Sequence, residues 1–219
     1  MAVHSADGRR SPAADTRRRI LAVALELFSV RGYAGTSMRD IAQTVGMTKA
    51  ALYYHFESKE QILAAVTEPI RVEMNLILQA AAAPARPTPE RLLTQLADML
   101  SRHASLVATL FNDPSSSSRG QHLGAKEVLR AVEAVLAGDG GPDRLLRARC
   151  AVGAVMFAVL ATIRSDPGFG EPVGSDRTLR LLDGEDHALD AGLRREVVAA
   201  ALRALGDPAG GPASGPASG

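Results

Sequence analysis

The stretch from Thr36 to Gln61, TSMRDIAQTVGMTKAALYYHFESKEQ, decides the fold. Ser37 with Asp40 three positions on has the spacing of a capping box, opening a short helix at about Ser37–Val45. Met38, Ile41, Ala42 and Val45 form its apolar face. Gly46 breaks it after two turns, and Thr48 is placed to cap a third helix running to about Tyr54. Two short helices joined by a tight turn make a helix-turn-helix, whose second helix has the size to enter a DNA major groove. Leu52 and Phe56, four apart, anchor that helix inward and leave Thr48, Lys49, Ala50 and Tyr53 outward. Lys49 suits guanine O6/N7 or a phosphate. Ala50 lets the backbone approach the bases, and Tyr53 offers a ring and a hydroxyl. His55 and Lys59 extend this row of donors.

Outward from this core, the pattern predicts an all-α chain. Ile20, Val23, Ala24, Leu27 and Phe28 recur at 3–4 spacing, predicting a first helix over about Thr16–Arg31 with Asp15 as its N-cap and Gly32 as its stop. Ser58 with Gln61 makes a second capping-box pair and opens a helix carrying Ile62, Leu63 and Val66. Further helices are expected at about 69–83, 89–103, 104–112, 122–137, 142–165 and 186–206, separated by the proline-rich 84–89, by Asp113-Pro114 with four serines, by Asp139-Gly140-Gly141-Pro142 and by a loop at 166–185. The expected domains are a disordered arm over 1–14, a helix-turn-helix domain over 15–63, a helical bundle over 64–206 and a disordered tail over 207–219.

Composition narrows the function. The 219 residues hold 25 Lys+Arg against 24 Asp+Glu, which excludes a uniformly basic nucleic-acid coat but not a local basic patch. Residues 1–60 carry nine Lys+Arg against six Asp+Glu, and five of the eight aromatics (Phe28, Tyr33, Tyr53, Tyr54, Phe56) fall in the same end. The single cysteine, Cys150, excludes an intrachain disulfide and fits a reducing cytosol; on an expected packed helix it reads as a buried, inert thiol. No apolar run approaches the roughly 20 residues of a membrane span, so a cytoplasmic protein with no membrane partner is expected. Arg17, Arg18 and Arg19 read either as an ordinary solvated helix start or, because positive charge there opposes the helix dipole, as a pointer to an anionic partner such as phosphate. No phosphate loop, dinucleotide glycine motif, HExxH pair or nucleophile elbow is present, so an enzyme is not expected. His103 and His122 lack partners at metal spacing, and neither a metal nor a cofactor is expected.

Over about residues 16–63 the chain resembles the DNA-binding domain of the TetR (tetracycline-repressor) family. The resemblance is carried by Ile20–Phe28, Arg31-Gly32-Tyr33, Thr36–Ala42, Val45–Lys49, Leu52–Phe56 and Ser58-Lys59. It implies an Ω-shaped homodimer in which each subunit adds a ligand-binding and dimerising helical domain. By matching positions, Thr36 and Ser37 resemble phosphate contacts, and Thr48, Lys49, Ala50 and Tyr53 resemble recognition-helix contacts. His55 and Lys59 also resemble phosphate contacts, while Tyr54 is either contact or packing, with packing the better assignment. The function implied is a ligand-responsive homodimeric repressor of a near-palindromic double-stranded DNA operator, released by a small-molecule inducer. The alternative is a DNA-binding regulator without such a switch, protein-partnered or activating.

The second domain says less. Met99, His103, Phe111, Met156 and Phe157 are candidate ligand-lining residues, each also readable as core. The helices at 142–165 and 186–206 fit the family's dimer interface, through Val152, Val155, Val159, Leu193, Val197 and Leu202. The competing assignment makes them intrachain core.

Overall fold

The computed structural model describes residues 11–104, 106–107, 125–165 and 189–206. Eight helices are defined among them and no strand. The arms at 1–10 and 207–219, Phe111, His122, the serine run and the expected loop at 166–185 lie outside the described residues.

Helix α1 (Pro12–Arg31) begins one turn earlier than its hydrophobic stripe suggests. Ser11 is the N-cap, its hydroxyl accepting from the Ala14 amide at 3.2 Å, and Pro12 occupies the first helical position. Asp15 is therefore a first-turn acid and not the cap, and 12–14 belong to the helix. Arg17–Arg19 consequently lie beyond the first turn, where the dipole's effect has faded, so their placement does not carry the expected cost.

Helix α2 (Met38–Val45) has the expected capping box. Ser37 Oγ accepts from the Asp40 amide at 3.2 Å, and Asp40 Oδ2 accepts from the Ser37 amide at 2.8 Å. Its end is a Schellman turn. The Met47 amide reaches the Ala42 carbonyl and the Gly46 amide the Gln43 carbonyl, with Gly46 at φ 80°, a left-handed conformation that glycine adopts without strain. Helix α3 (Lys49–His55) follows at once, capped by Thr48 Oγ1 on the Ala51 amide.

Helix α4 (Lys59–Ala82) is one continuous helix, about 36 Å long. The break expected near residue 69 is absent, because Ile62, Val66, Ile70, Met74 and Ile77 keep one buried stripe through Pro69. At its start Ser58 caps the Gln61 amide, but Gln61 reaches back to the Glu57 amide and not to that of Ser58. The helix therefore runs across the expected boundary at 63, packing on α1 and on the two helices that follow it, α5 (Pro89–Arg102) and α6 (Ala125–Ala137).

Helix α7 (Gly141–Ser165) lies against α6, α5 and α8 (Ala191–Leu205). The last helix starts at Ala191 and not at 186. Asp190 Oδ1 accepts from the Gly192 and Leu193 amides, while the preceding Leu189 is buried with its amide donating to Ser101 Oγ at 2.9 Å. The hydrogen bonds from the Leu193 and Gly192 amides hold the Asp190 carboxyl below its ordinary range.

One expectation about α7 fails outright. Over Gly141–Thr162 it is long and apolar enough to cross a membrane, with a mean hydropathy of 1.7. Its alanines, valines, leucines, Met156 and Phe157 raise the average above the cost of the charged residues near its start. Ala148, Ala151, Val152, Val155 and Val159 are nonetheless buried against the neighbouring helices.

Candidate nucleic-acid interface

Counting 100° per residue from the fully buried Leu52 puts Ala50 and Tyr54 almost opposite it, with Tyr53 to one side. The structure agrees. Thr48, Lys49, Ala50, Ala51, Tyr53 and Tyr54 are exposed and His55 is half-buried. Tyr54, at 86% exposed, stands out further than Tyr53 at 42%, so the packing assignment for Tyr54 is wrong. The same angular count would have found it. The Lys49 ammonium lies 5.6 Å from the centre of the Tyr53 ring, and the Tyr54 and His55 rings meet edge to face at 5.5 Å. The outward face of α3 is thus a small methyl centre at Ala50 flanked by aromatic rings and one cation.

Ser37 is exposed at the start of α2. Its hydroxyl donates to Asp40 Oδ2 at 2.5 Å, and this bond with that of the Ser37 amide holds the Asp40 carboxyl below its ordinary range. The positive end of the α2 dipole thus already faces one anion, the Asp40 carboxylate.

Two of the residues expected at phosphates are occupied elsewhere. Thr36 is 1% exposed, and its hydroxyl donates to the carbonyl of Gly32 at 2.9 Å and lies 3.2 Å from that of Leu27. It closes the α1–α2 turn and presents no hydroxyl to solvent. Lys59 Nζ donates to the carbonyls of Tyr33 and Thr36, each at 2.6 Å, over the Tyr33 ring. Tyr33 in turn donates its hydroxyl to Glu60 Oε1 at 2.8 Å, which is the largest cause holding that carboxyl low. The arginines of α1 likewise find protein partners: Arg17 donates to the His55 carbonyl and Arg19 to that of Val45.

In the larger domain the candidate lining residues do not share one environment. Met99 is buried and Met156 half-buried, whereas Phe157 is 74% exposed on the outer side of α7. His103 is buried at the end of α5, its Nε2 3.1 Å from Glu73 Oε1, the oxygen that also accepts from Arg102 at 2.8 Å. Burial pushes the His103 pKa down, against the opposing pull of Glu73. No group of three His, Cys, Asp or Glu side chains able to hold a metal occurs among the described residues.

The valines expected at a dimer interface face inward instead. Val152, Val155, Val159 and Val197 are buried within the chain, so these valines are intrachain core. Leu202 is half-buried and Leu193 exposed. Besides charged residues such as Arg147 and Arg149, α7 leaves outside Leu146, Cys150, Gly153 and Phe157, at spacings of four, three and four, which lie on one side of a helix. Cys150 is exposed, contrary to the buried thiol expected. A Cβ at Gly153 would meet nothing, so that side is open along its middle.

Residues 20–66 match the family of bacterial regulatory proteins described as the tetR family. The HTH-type transcriptional regulator AcrR of Shigella flexneri is 41% identical over 59 residues, 27% of this chain and 27% of that protein. The icaADBC biofilm operon HTH-type negative transcriptional regulator IcaR of Staphylococcus aureus (strain Newman) is 52% identical over 44 residues, 20% of this chain and 24% of that one. The match thus spans about a quarter of the length of these curated relatives. The crystal structure of Mycobacterium smegmatis AmtR superposes with a TM-score of 0.56 at 26% identity, covering 91% of this chain and 96% of that one. Over residues 20–66, the helix-turn-helix and the helices around it, the chain is thus similar to the tetR family of bacterial regulatory proteins, and the likeness to AmtR extends through most of the fold.

Proposed function

We infer that the protein is a homodimeric transcriptional repressor that reads a near-palindromic operator with α3. The observation that carries this is the outward face of α3. Ala50 and Tyr54 stand opposite buried Leu52, Lys49 and Tyr53 flank them, and exposed Ser37 opens α2. Ala50 brings the backbone to the bases, Lys49 reads guanine edges or phosphate, and the tyrosines offer rings and hydroxyls. Repression is supported by the negative regulator IcaR, whose similarity lies in this domain. Two such faces on a symmetric dimer would meet successive major grooves roughly 34–36 Å apart. The apolar outer side of α7 with Leu193 of α8 supports the dimer. Acting on the genome, the protein would work in the cytoplasm.

The larger domain would receive a small-molecule inducer that favours the arrangement unable to bind DNA, since only differential affinity shifts such an equilibrium. Continuous α4 would carry the change, because it belongs to both packed units. Met99, His103 and Met156 remain the candidates for that site; Phe157 now belongs with the dimer face.

Selection of bound duplexes from a random pool by the full-length protein should yield an inverted repeat. Lys49→Ala should weaken binding to it by about 10- to 100-fold. Absence of an inverted repeat, or a Lys49→Ala protein that binds it as the wild type does, would rule the reading out. A ligand screen by thermal melting tests the inducer: a compound bound to the folded state alone raises the melting temperature.

A further inference from the structure

The helix-turn-helix is gripped at three points by cations from the helices on either side of it. At its entrance, Lys59 on the first turn of α4 holds the carbonyls of Tyr33 and Thr36, with its ammonium 4.1 Å from the Tyr33 ring centre. At its exit, Arg17 of α1 donates to the His55 carbonyl at 3.2 Å, its guanidinium carbon 4.1 Å from the Phe56 ring centre. Between them, Arg19 reaches the Val45 carbonyl at 3.4 Å. Val45 and His55 are the last residues of α2 and α3, whose carbonyls lack intrahelical donors and carry the negative end of the backbone dipole. A cation there supplies both the missing donor and the compensating charge.

This bracing matters because α3 cannot orient itself. It has seven residues and buries only Leu52, with Phe56 just beyond its end. A helix so short holds its place through tertiary contacts alone. Base recognition, however, requires side chains fixed to a fraction of an ångström by the residues behind them.

We propose that Arg17 and Lys59 are positioning residues for DNA recognition, their charges spent on backbone carbonyls at the two ends of the helix-turn-helix instead of on phosphates. The proposal rests on α3 being the recognition surface. It departs from the phosphate role that the family resemblance gives Lys59 and that the arginine run suggests for Arg17. Loss of either cation lets α2 and α3 shift against α1 and α4, which blurs base readout and leaves the phosphate contacts in number as they were.

The test uses the full-length protein, the duplex selected from the random pool and a scrambled duplex of the same composition, each titrated over a range of KCl. Arg17→Met and Lys59→Met are expected to lower affinity for the selected duplex by about 10-fold or more while leaving the scrambled duplex nearly unaffected. The slope of log affinity against log salt should stay at the wild-type value. A phosphate contact would instead lower that slope by about 0.9 and weaken both duplexes alike. That result overturns the proposal, as does wild-type selectivity in the folded variants. A purely structural role would also weaken both duplexes by one factor, through the folded fraction seen in a thermal melt. Should Arg17→Met not fold, Arg17→Lys decides. It keeps the charge but loses the planar stack on Phe56, so selectivity should fall, and unchanged selectivity overturns the proposal. Lys49→Ala separates the two levels. If it keeps wild-type selectivity, the recognition surface itself is misassigned; if it loses selectivity while Arg17→Met and Lys59→Met behave as phosphate contacts, only the present proposal fails.

Discussion

Ser37 and Asp40 show how far single residues specify this fold. Each satisfies the other's backbone amide, and the exchange fixes where α2 begins. Removing the hydroxyl in Ser37→Ala should cost about 1 kcal/mol in a urea titration at neutral pH, with an unchanged denaturant slope. A loss within error would mean that packing of Met38 and Ile41 alone sets the start of α2. This box was legible in the sequence because both partners lie within one turn and their types are specific to the job. The cation clamps were not. Arg17 and His55 are 38 positions apart, Lys59 and Tyr33 26 apart, and only the packing of α1 and α4 around α2 and α3 brings them together. Reading Thr36 as a phosphate ligand failed for the same reason: a threonine at a helix entrance looks alike in sequence whether its hydroxyl faces solvent or the Gly32 carbonyl.

Among the elements, α4 carries the strongest consequence. Proline lacks the amide that an interior turn needs, and α4 carries one at Pro69. In the molecule Pro69 is exposed at the edge of the buried stripe, and the stripe holds the helix together across it. One polar link ties this helix to α5, through Glu73 to Arg102 and His103. With His103 neutral, its Nε2–H donates to Glu73; protonation gains that carboxylate's attraction but loses more to burial, so the folded pKa lies below the ordinary 6.5. The unfolded chain therefore takes up the proton first as pH drops. Stability from this group is complete above about pH 6.5 and is lost as pH falls through the lower folded pKa. Melting temperature measured from about pH 7 to about pH 5 should fall more steeply in the wild type than in His103→Gln. Parallel curves would show that His103 titrates alike in both states.

For the whole molecule, charge and hydrophobicity divide between two ends. The basic, aromatic end was legible because base reading, capping and turn chemistry each demand particular residue types at fixed offsets. The other end is built from alanine, leucine and valine, whose periodicity marks helices without saying which apolar side faces inward. Both sides of α7 are apolar, and the side chosen from sequence as the interface, Val152, Val155 and Val159, proved to be core. The interface prediction therefore moves to Leu146, Gly153 and Phe157. Phe157→Glu leaves the internal valines untouched, so the helical content of the chain should be unchanged. Two phenylalanine rings lost from a symmetric interface should weaken dimerisation by at least about 100-fold, at roughly 1.5 kcal/mol or more for each ring. Sedimentation should show a monomer, and the melting temperature should lose its dependence on protein concentration. Exposed Cys150, one turn beyond Leu146 on the same side, reports the same event chemically. Its alkylation should be slow in the wild-type dimer and fast in Phe157→Glu. Operator affinity should fall with it, because half-sites bound by separate monomers lose the gain of linked binding. A Phe157→Glu protein that sediments as a dimer with Cys150 still protected would place the interface elsewhere and leave this apolar side of α7 without a partner.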